Sequence, residues 1–170
     1  MMKRSIELVA TACLLLMMAS ASVLADQTIY LIRHAEKVAD GSKDPALTDV
    51  GKVRADTFAK YFKDKGLKAV FSSDYIRTRD TAAPTARIYG LDVLIYDPRD
   101  LKAIAATAKK RGDTVLIVGH SNTTAVLANI LSAGDLPNLE DHHYDRIYVI
   151  KLKDDGTGAV RIEHIEPLTP

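Results

Sequence analysis

Apolar residues recur along this chain in two alternating patterns. Short apolar runs, Thr28-Ile29-Tyr30-Leu31-Ile32, Ala69-Val70-Phe71-Ser72-Ser73 and Thr114-Val115-Leu116-Ile117-Val118-Gly119, read as buried strands, and Asp92-Val93-Leu94-Ile95-Tyr96 reads as a strand. Between them the apolar positions fall at helical spacing. Thr48-Asp49-Val50-Gly51 has the hydroxyl cap and early carboxylate of a helix start; Ala55, Phe58, Ala59 and Phe62 then form one buried face, and Gly66 stops the helix. A second helix is predicted from about Ile76 to Tyr89, bent or restarted at Pro84 and ended by Gly90. Asp100 caps a third that runs to about Lys110, with Gly112-Asp113 turning the chain, and a fourth is predicted from about Thr123 to Leu131. The last two runs, Arg146 to Leu152 and Ala159 to Ile165, alternate like paired strands around Asp154-Asp155-Gly156-Thr157-Gly158. This order predicts a three-layer α/β/α domain with a mostly parallel central sheet and a mixed or antiparallel edge, without repeat, linker or second domain.

The first 25 residues break both patterns. Met1-Met2-Lys3-Arg4 is a positive start, Leu8 to Leu24 an apolar core, and Val23-Leu24-Ala25 a peptidase site, so a signal peptide cleaved after Ala25 is expected, with the domain spanning 26–170. The alternative, a membrane anchor, would use an apolar run at the lower limit for a span. Cys13 lies inside the apolar core, the wrong place for a lipidated first residue. Of 23 basic and 22 acidic side chains, the leader takes Lys3, Arg4 and Glu7 and leaves 21 of each. A neutral mature chain argues against nucleic acid or an anionic membrane surface as a partner, and no membrane anchor is expected after cleavage. With Cys13 removed no thiol remains, so stability must come from one hydrophobic core.

Chemistry concentrates at strand ends. The first strand runs into Arg33-His34, the second towards Arg77 and Arg79, and the fourth into His120. In an open α/β sheet ligands bind at the carboxyl ends of the strands, so these residues can converge on one pocket for an anion, and phosphate is the commonest anion that needs a histidine nearby. Ser121 and Asn122 would stand at a helix N-terminus facing that pocket.

These segments resemble the histidine phosphatase (phosphoglycerate mutase-like) superfamily. Leu31-Ile32-Arg33-His34-Ala35-Glu36 is similar to its Leu-x-Arg-His-Gly-Glu signature, with Ala35 where glycine is usual. Leu47-Thr48-x-x-Gly51 is similar to its Leu-Thr-x-x-Gly segment, Ser72 to Ala82 to its Ser-Ser-x-x-x-Arg-x-x-x-Thr-Ala segment, and Val118-Gly119-His120-Ser121-Asn122 to its second-histidine strand. The resemblance implies that His34 attacks phosphorus and forms a phosphohistidine that water hydrolyses, while Arg33, Arg77 and His120 bind the phosphoryl oxygens, His120 charged when phosphate is bound. It also implies no metal and no organic cofactor.

The acid that protonates the leaving oxygen is the point of departure, because the family's Leu-x-Glu stretch and Gly-rich loop have no match in Asp97-Pro98-Arg99-Asp100-Leu101-Lys102. Asp100 is the nearest carboxylate, although it equally reads as a helix cap. Glu36 and Asp141 are the other candidates, and a good leaving group would need no acid at all. Gly119-His120-Ser121-Asn122-Thr123 imitates a serine nucleophile elbow but has Thr123 where a second glycine belongs. His142-His143 lacks a third ligand and reads as an exposed loop pair rather than a metal site. The expectation is an exported, periplasmic or secreted phosphatase acting on a small phosphorylated substrate or envelope phosphate. A mutase-like phosphotransferase, which needs a site closed to water, and a non-catalytic phosphate binder are the alternatives.

Overall fold

A computed structural model describes residues 27–153 and 155–169, and the expected leader, Met1–Ala25, lies outside them. The elements in chain order are β1 (Gln27–Arg33), α1 (Asp49–Phe62), β2 (Ala69–Ser73), α2 (Ile76–Tyr89), β3 (Val93–Tyr96), α3 (Leu101–Arg111), β4 (Val115–Gly119), α4 (Ser121–Ser132), β5 (Arg146–Leu152) and β6 (Gly158–His164). The strands form one sheet in the order β3-β2-β4-β1-β5-β6. β3, β2, β4 and β1 are parallel, whereas β5 and β6 add an antiparallel edge, as the alternation of their side chains predicts.

Two apolar layers hold the helices. On one face Tyr30, Ile32, Val70, Leu116 and Val118 meet Phe58 and Phe62 of α1 and Ala82 and Ala86 of α2. On the other, Ile29, Leu31, Phe71, Val115 and Ile117 meet Ile104 and Ala108 of α3 and Leu127 and Leu131 of α4. Successive strand residues point to opposite faces, so the continuous apolar runs of β1 and β4 serve both layers at once.

Local signals set most element ends. Thr48 caps α1, its hydroxyl accepting from the Gly51 N–H at 3.0 Å, and Asp100 caps α3 by accepting from the Ala103 N–H at 3.0 Å. Gly90 and Gly112 end α2 and α3 with φ of +61° and +68°, where a Cβ would be strained. Pro84 does not restart α2, which runs unbroken from Ile76 to Tyr89. Only the Asp80 carbonyl loses its intrahelical donor, and Asp80 is exposed to water that can replace it. α4 starts at Ser121, two residues earlier than its apolar pattern predicts, because the Thr123 hydroxyl accepts from the His120 N–H at 2.9 Å and closes the first turn.

Candidate active site

The carboxyl ends of β1, β4 and β2 lie side by side. β1 and β4 pair with Arg33 opposite Gly119, and the His34 N–H extends that ladder to the Gly119 carbonyl at 2.9 Å. His34 and His120 therefore leave adjacent strands together, with ring centroids 5.5 Å apart. They open on a cleft of about 380 Å³ lined by Arg33, Arg77, Lys37, Tyr75, Asp141 and the first turn of α4, among others.

The His34 ring is held by its own loop. Nδ1 lies 2.7 Å from the Ala35 carbonyl, which can only accept, so the proton sits on Nδ1 and the lone pair on Nε2. Burial drives the His34 pKa down to about 3, with the charges of Arg33, His120 and Arg77 acting the same way against the opposing carbonyl bond. The Ala35 N–H donates to the Thr81 hydroxyl at 2.9 Å, fixing the loop against α2. Ala35 is fully buried, so the position where glycine is usual holds one extra methyl within a small apolar cluster with Leu47 and Ala55.

His120 is oriented from β2. Its Nε2 lies 2.8 Å from Ser73 Oγ, and Ser73 donates in turn to Thr78 Oγ1, whose own proton goes to main-chain carbonyls. The chain of donors places the His120 proton on Nε2 and leaves Nδ1 as an acceptor, 3.5 Å from Arg77 Nη2. Burial, followed by the charges of Arg77 and Arg33, holds the His120 pKa at about 4. Both imidazoles are thus neutral near pH 7, and an anion in the cleft would reverse the sign of the field at His120.

The two arginines are fixed in the same way. Arg33 donates from Nη1 to the carbonyls of Glu140 and Asp141, at 3.0 and 2.8 Å, with its guanidinium 4.3 Å above the Tyr144 ring. Arg77 stacks on Tyr75 at 4.4 Å and lies 3.4 Å from Asp44 Oδ1. In both residues Nε is buried and has no partner. Two desolvated guanidinium donors beside a neutral imidazole lone pair are arranged for a tetrahedral oxyanion.

The model of the histidine phosphatase superfamily, branch 1, matches residues 29–99, from β1 to the loop after β3. Over that segment the chain resembles the histidine phosphatase superfamily. It is 32% identical over 118 residues to the "Probable phosphoglycerate mutase GpmB" of Escherichia fergusonii, covering 66% of this chain and 54% of that protein. The same-named protein of Escherichia coli O139:H28 matches to the same extent, so the chain spans about half the length of the curated relatives it matches. Among solved structures the fold is similar to the protein histidine phosphatase SixA complexed with tungstate, with a TM-score of 0.67 and 18% identity over 81% of this chain and 97% of that one. It is similar as well to a mycobacterial glucosyl-3-phosphoglycerate phosphatase complexed with VO3, with a TM-score of 0.66 and 14% identity over 82% and 98%.

Against the superfamily pattern, the expected residues divide. Arg33, His34, Arg77, His120, Ser121 and Asn122 all line the cleft. Arg79 does not; it pairs with Asp74 on the exposed side of α2. Of the three acid candidates, only Asp141 reaches the cleft, where its carboxylate is exposed, 3.3 Å from Ser121 Oγ and 3.7 Å from Arg33 Nη2. Asp100 is spent as the cap of α3. Glu36 is turned away from the cleft and bound through both oxygens by the buried Arg54 Nε, at 2.7 and 2.9 Å. Ser121 has no histidine among its hydrogen-bond partners, so the serine elbow lacks a base.

His142 and His143 differ from the expected exposed pair. Their rings lie 4.2 Å apart, and His143 is buried with Nε2 at 2.8 Å from Arg146 Nη2. Among the described residues no group of three His, Cys, Asp or Glu could hold a metal ion. Tyr75, Tyr144, Lys37, Ser73 and Asp44 escaped sequence reasoning. Ser73 could have been found, since it ends a strand parallel to the one that delivers His120.

Proposed function

We propose that this protein is a phosphatase that hydrolyses a phosphomonoester or related phosphoryl bond through a phosphohistidine on His34. The carrying observation is that Arg33 and Arg77, each with a buried, unpartnered Nε, line one cleft with His34, a neutral imidazole whose Nε2 lone pair is free. Nε2 attacks phosphorus, the P–O bond breaks, and the leaving oxygen takes a proton delivered through Asp141 or solvent. Water then cleaves the P–N bond, releasing phosphate and restoring the neutral ring. Arg33, Arg77 and His120 hold the equatorial oxygens, and fixed donors of this kind act without reorganising during the reaction.

The deciding experiment is hydrolysis of p-nitrophenyl phosphate by the mature protein in chelator, with His34→Ala and Ser121→Ala beside it. Loss of turnover in the first and retention in the second is expected. An essential Ser121 with a dispensable His34 would refute the phosphohistidine route, and a protein that binds phosphate without turnover would be a binder. The name of the curated relatives favours a second reading, phosphoryl transfer within or between sugar acids. Product analysis separates the two, since hydrolysis alone releases inorganic phosphate in step with the alcohol. Export to the periplasm or medium is proposed from Met1–Ala25 alone, with Asp26 expected as the first residue on sequencing the secreted protein's N-terminus. The proposed partner is a small phosphorylated molecule or an envelope phosphate, and a neutral mature chain gives no reason to expect nucleic acid.

A further inference from the structure

The two arginines of the cleft are anchored by different means. Arg33 is pinned by main-chain carbonyls, whereas the anchor of Arg77 comes from a loop more than thirty residues earlier in the chain. α2 begins at Ile76, and its cap residue, Tyr75, offers no side-chain hydrogen bond. Asp44 supplies what is missing: Oδ1 accepts from the Ile76 N–H at 2.9 Å and lies 3.4 Å from Arg77 Nη1.

The loop is built to deliver that carboxylate. Its base is closed by the bridge between Lys37 and Leu47 and by the Val38 N–H donating to the Ala46 carbonyl at 2.9 Å. Inside it, the Ser42 N–H donates to Asp40 Oδ1 and the Asp44 N–H to Ser42 Oγ, at 2.9 and 3.1 Å, two local turns that lead to Asp44. Pro45 then keeps Asp44 out of the helical region.

Arg77 is 13% exposed on a long, flexible side chain, so its direction depends on what holds it. Asp44 engages Nη1 and Tyr75 supports the guanidinium plane, which leaves Nη2, beside His120, and the unpartnered Nε for oxygens. A free carboxylate this close would compete with phosphate. Asp44 does not act mainly as a competitor, because it is already bound to a main-chain N–H and, at 37% exposure, is partly screened by water.

We propose that Asp44 is the positioning residue of the anion clamp, a borrowed helix cap that also orients Arg77 towards the phosphoryl oxygens. This rests on the phosphate-binding reading of the cleft. The experiment is calorimetric titration of inorganic phosphate into the parent and into Asp44→Ala, Asp44→Ser and Asp44→Asn, with unfolding midpoints measured in parallel. Asp44→Ala is expected to weaken phosphate binding by about tenfold or more, the loss of one charge-assisted hydrogen bond to the clamp. Asp44→Ser can still cap Ile76 but is too short for Arg77, so it should lose affinity while keeping its midpoint. Asp44→Asn, whose amide oxygen can accept from both donors, should recover most of the affinity.

A carboxylate that only caps the helix would lower the midpoint of Asp44→Ala without moving the affinity of Asp44→Ser, and that result overturns the proposal. Tighter binding in Asp44→Asn and Asp44→Ser alike would overturn it too, by showing a competitor. If the parent itself binds no phosphate, the reading of the cleft falls and takes this inference with it.

Discussion

Burial keeps His34 and His120 uncharged, with pKa values near 3 and 4 against 6.5 for a free imidazole. The unfolded chain therefore binds more protons than the folded one as pH drops below 6.5, and folding stability declines through that window; above it the histidines contribute nothing to the slope. His143, also lowered, chiefly by burial, acts in the same direction. Denaturant midpoints should fall steadily from pH 7 to about pH 5, before carboxylates begin to contribute. A flat profile over that range would mean that the cleft is wetter than its geometry indicates. Proton delivery is the other question at this scale. Asp141→Asn should slow a substrate with an alkoxide leaving group by about a hundredfold while affecting p-nitrophenyl phosphate far less. Asp100→Asn should treat the two substrates alike, since asparagine caps a helix as well as aspartate does. Equal ratios in both mutants would leave the proton to solvent. Arg33, His34 and His120 were legible as cleft residues because each ends or follows an apolar run, and Arg77 because it lies in the first turn of the helix after one. Sequence reasoning could not rank the carboxylates, whose roles depend on where loops from distant segments point.

Elements position these residues by close approach. Gly51, near the start of α1, is pressed against the loop that follows His34: a Cβ there would stand 2.2 Å from the Glu36 carbonyl oxygen. That oxygen also accepts the Thr48 N–H at 2.9 Å, so Thr48 and Gly51 together dock the helix start on the loop after His34. Gly51→Ala should cost about 1–3 kcal/mol and reduce turnover, because backbone rather than a movable side chain must yield. Val53→Ala, on the exposed face of the same helix, should stay within about 0.5 kcal/mol and keep full activity. Alanine is the better helix former at both positions, so a Gly51→Ala variant as stable and active as the parent would show that the loop yields and that docking does not require the glycine. The sequence marks Thr48 as a cap and Gly51 as an early helix residue. Why this place requires a glycine is visible only when the loop from β1 lies across it.

At the scale of the whole molecule, one buried arginine joins three distant segments. Arg54 of α1 binds Glu36, two residues after His34, and donates from Nη1 to the Pro167 carbonyl at 2.9 Å, tying the chain beyond β6 to the loop that follows His34. Arg54→Met should destabilise the fold by about 3–5 kcal/mol, since Glu36 would remain largely buried and unpaired, and Arg54→Met with Glu36→Gln should recover part of that loss. Thermal or denaturant unfolding of the single and double mutants measures the coupling, and strictly additive losses would show that the pair is independent. Among the described residues no helix is long and apolar enough to cross a membrane. The sequence by itself determined the elements, the two-faced burial of β1, β2 and β4, the antiparallel edge and the convergence of Arg33, His34, Arg77 and His120, because periodicity and strand-end chemistry are local signals. The tertiary structure alone decided that Pro84 lies within a continuous helix, that Glu36 and Asp100 are structural while Asp141 faces the cleft, and that Asp44 serves Arg77. Each of these depends on a contact between segments far apart in the chain, and no local pattern encodes which partner a side chain will meet.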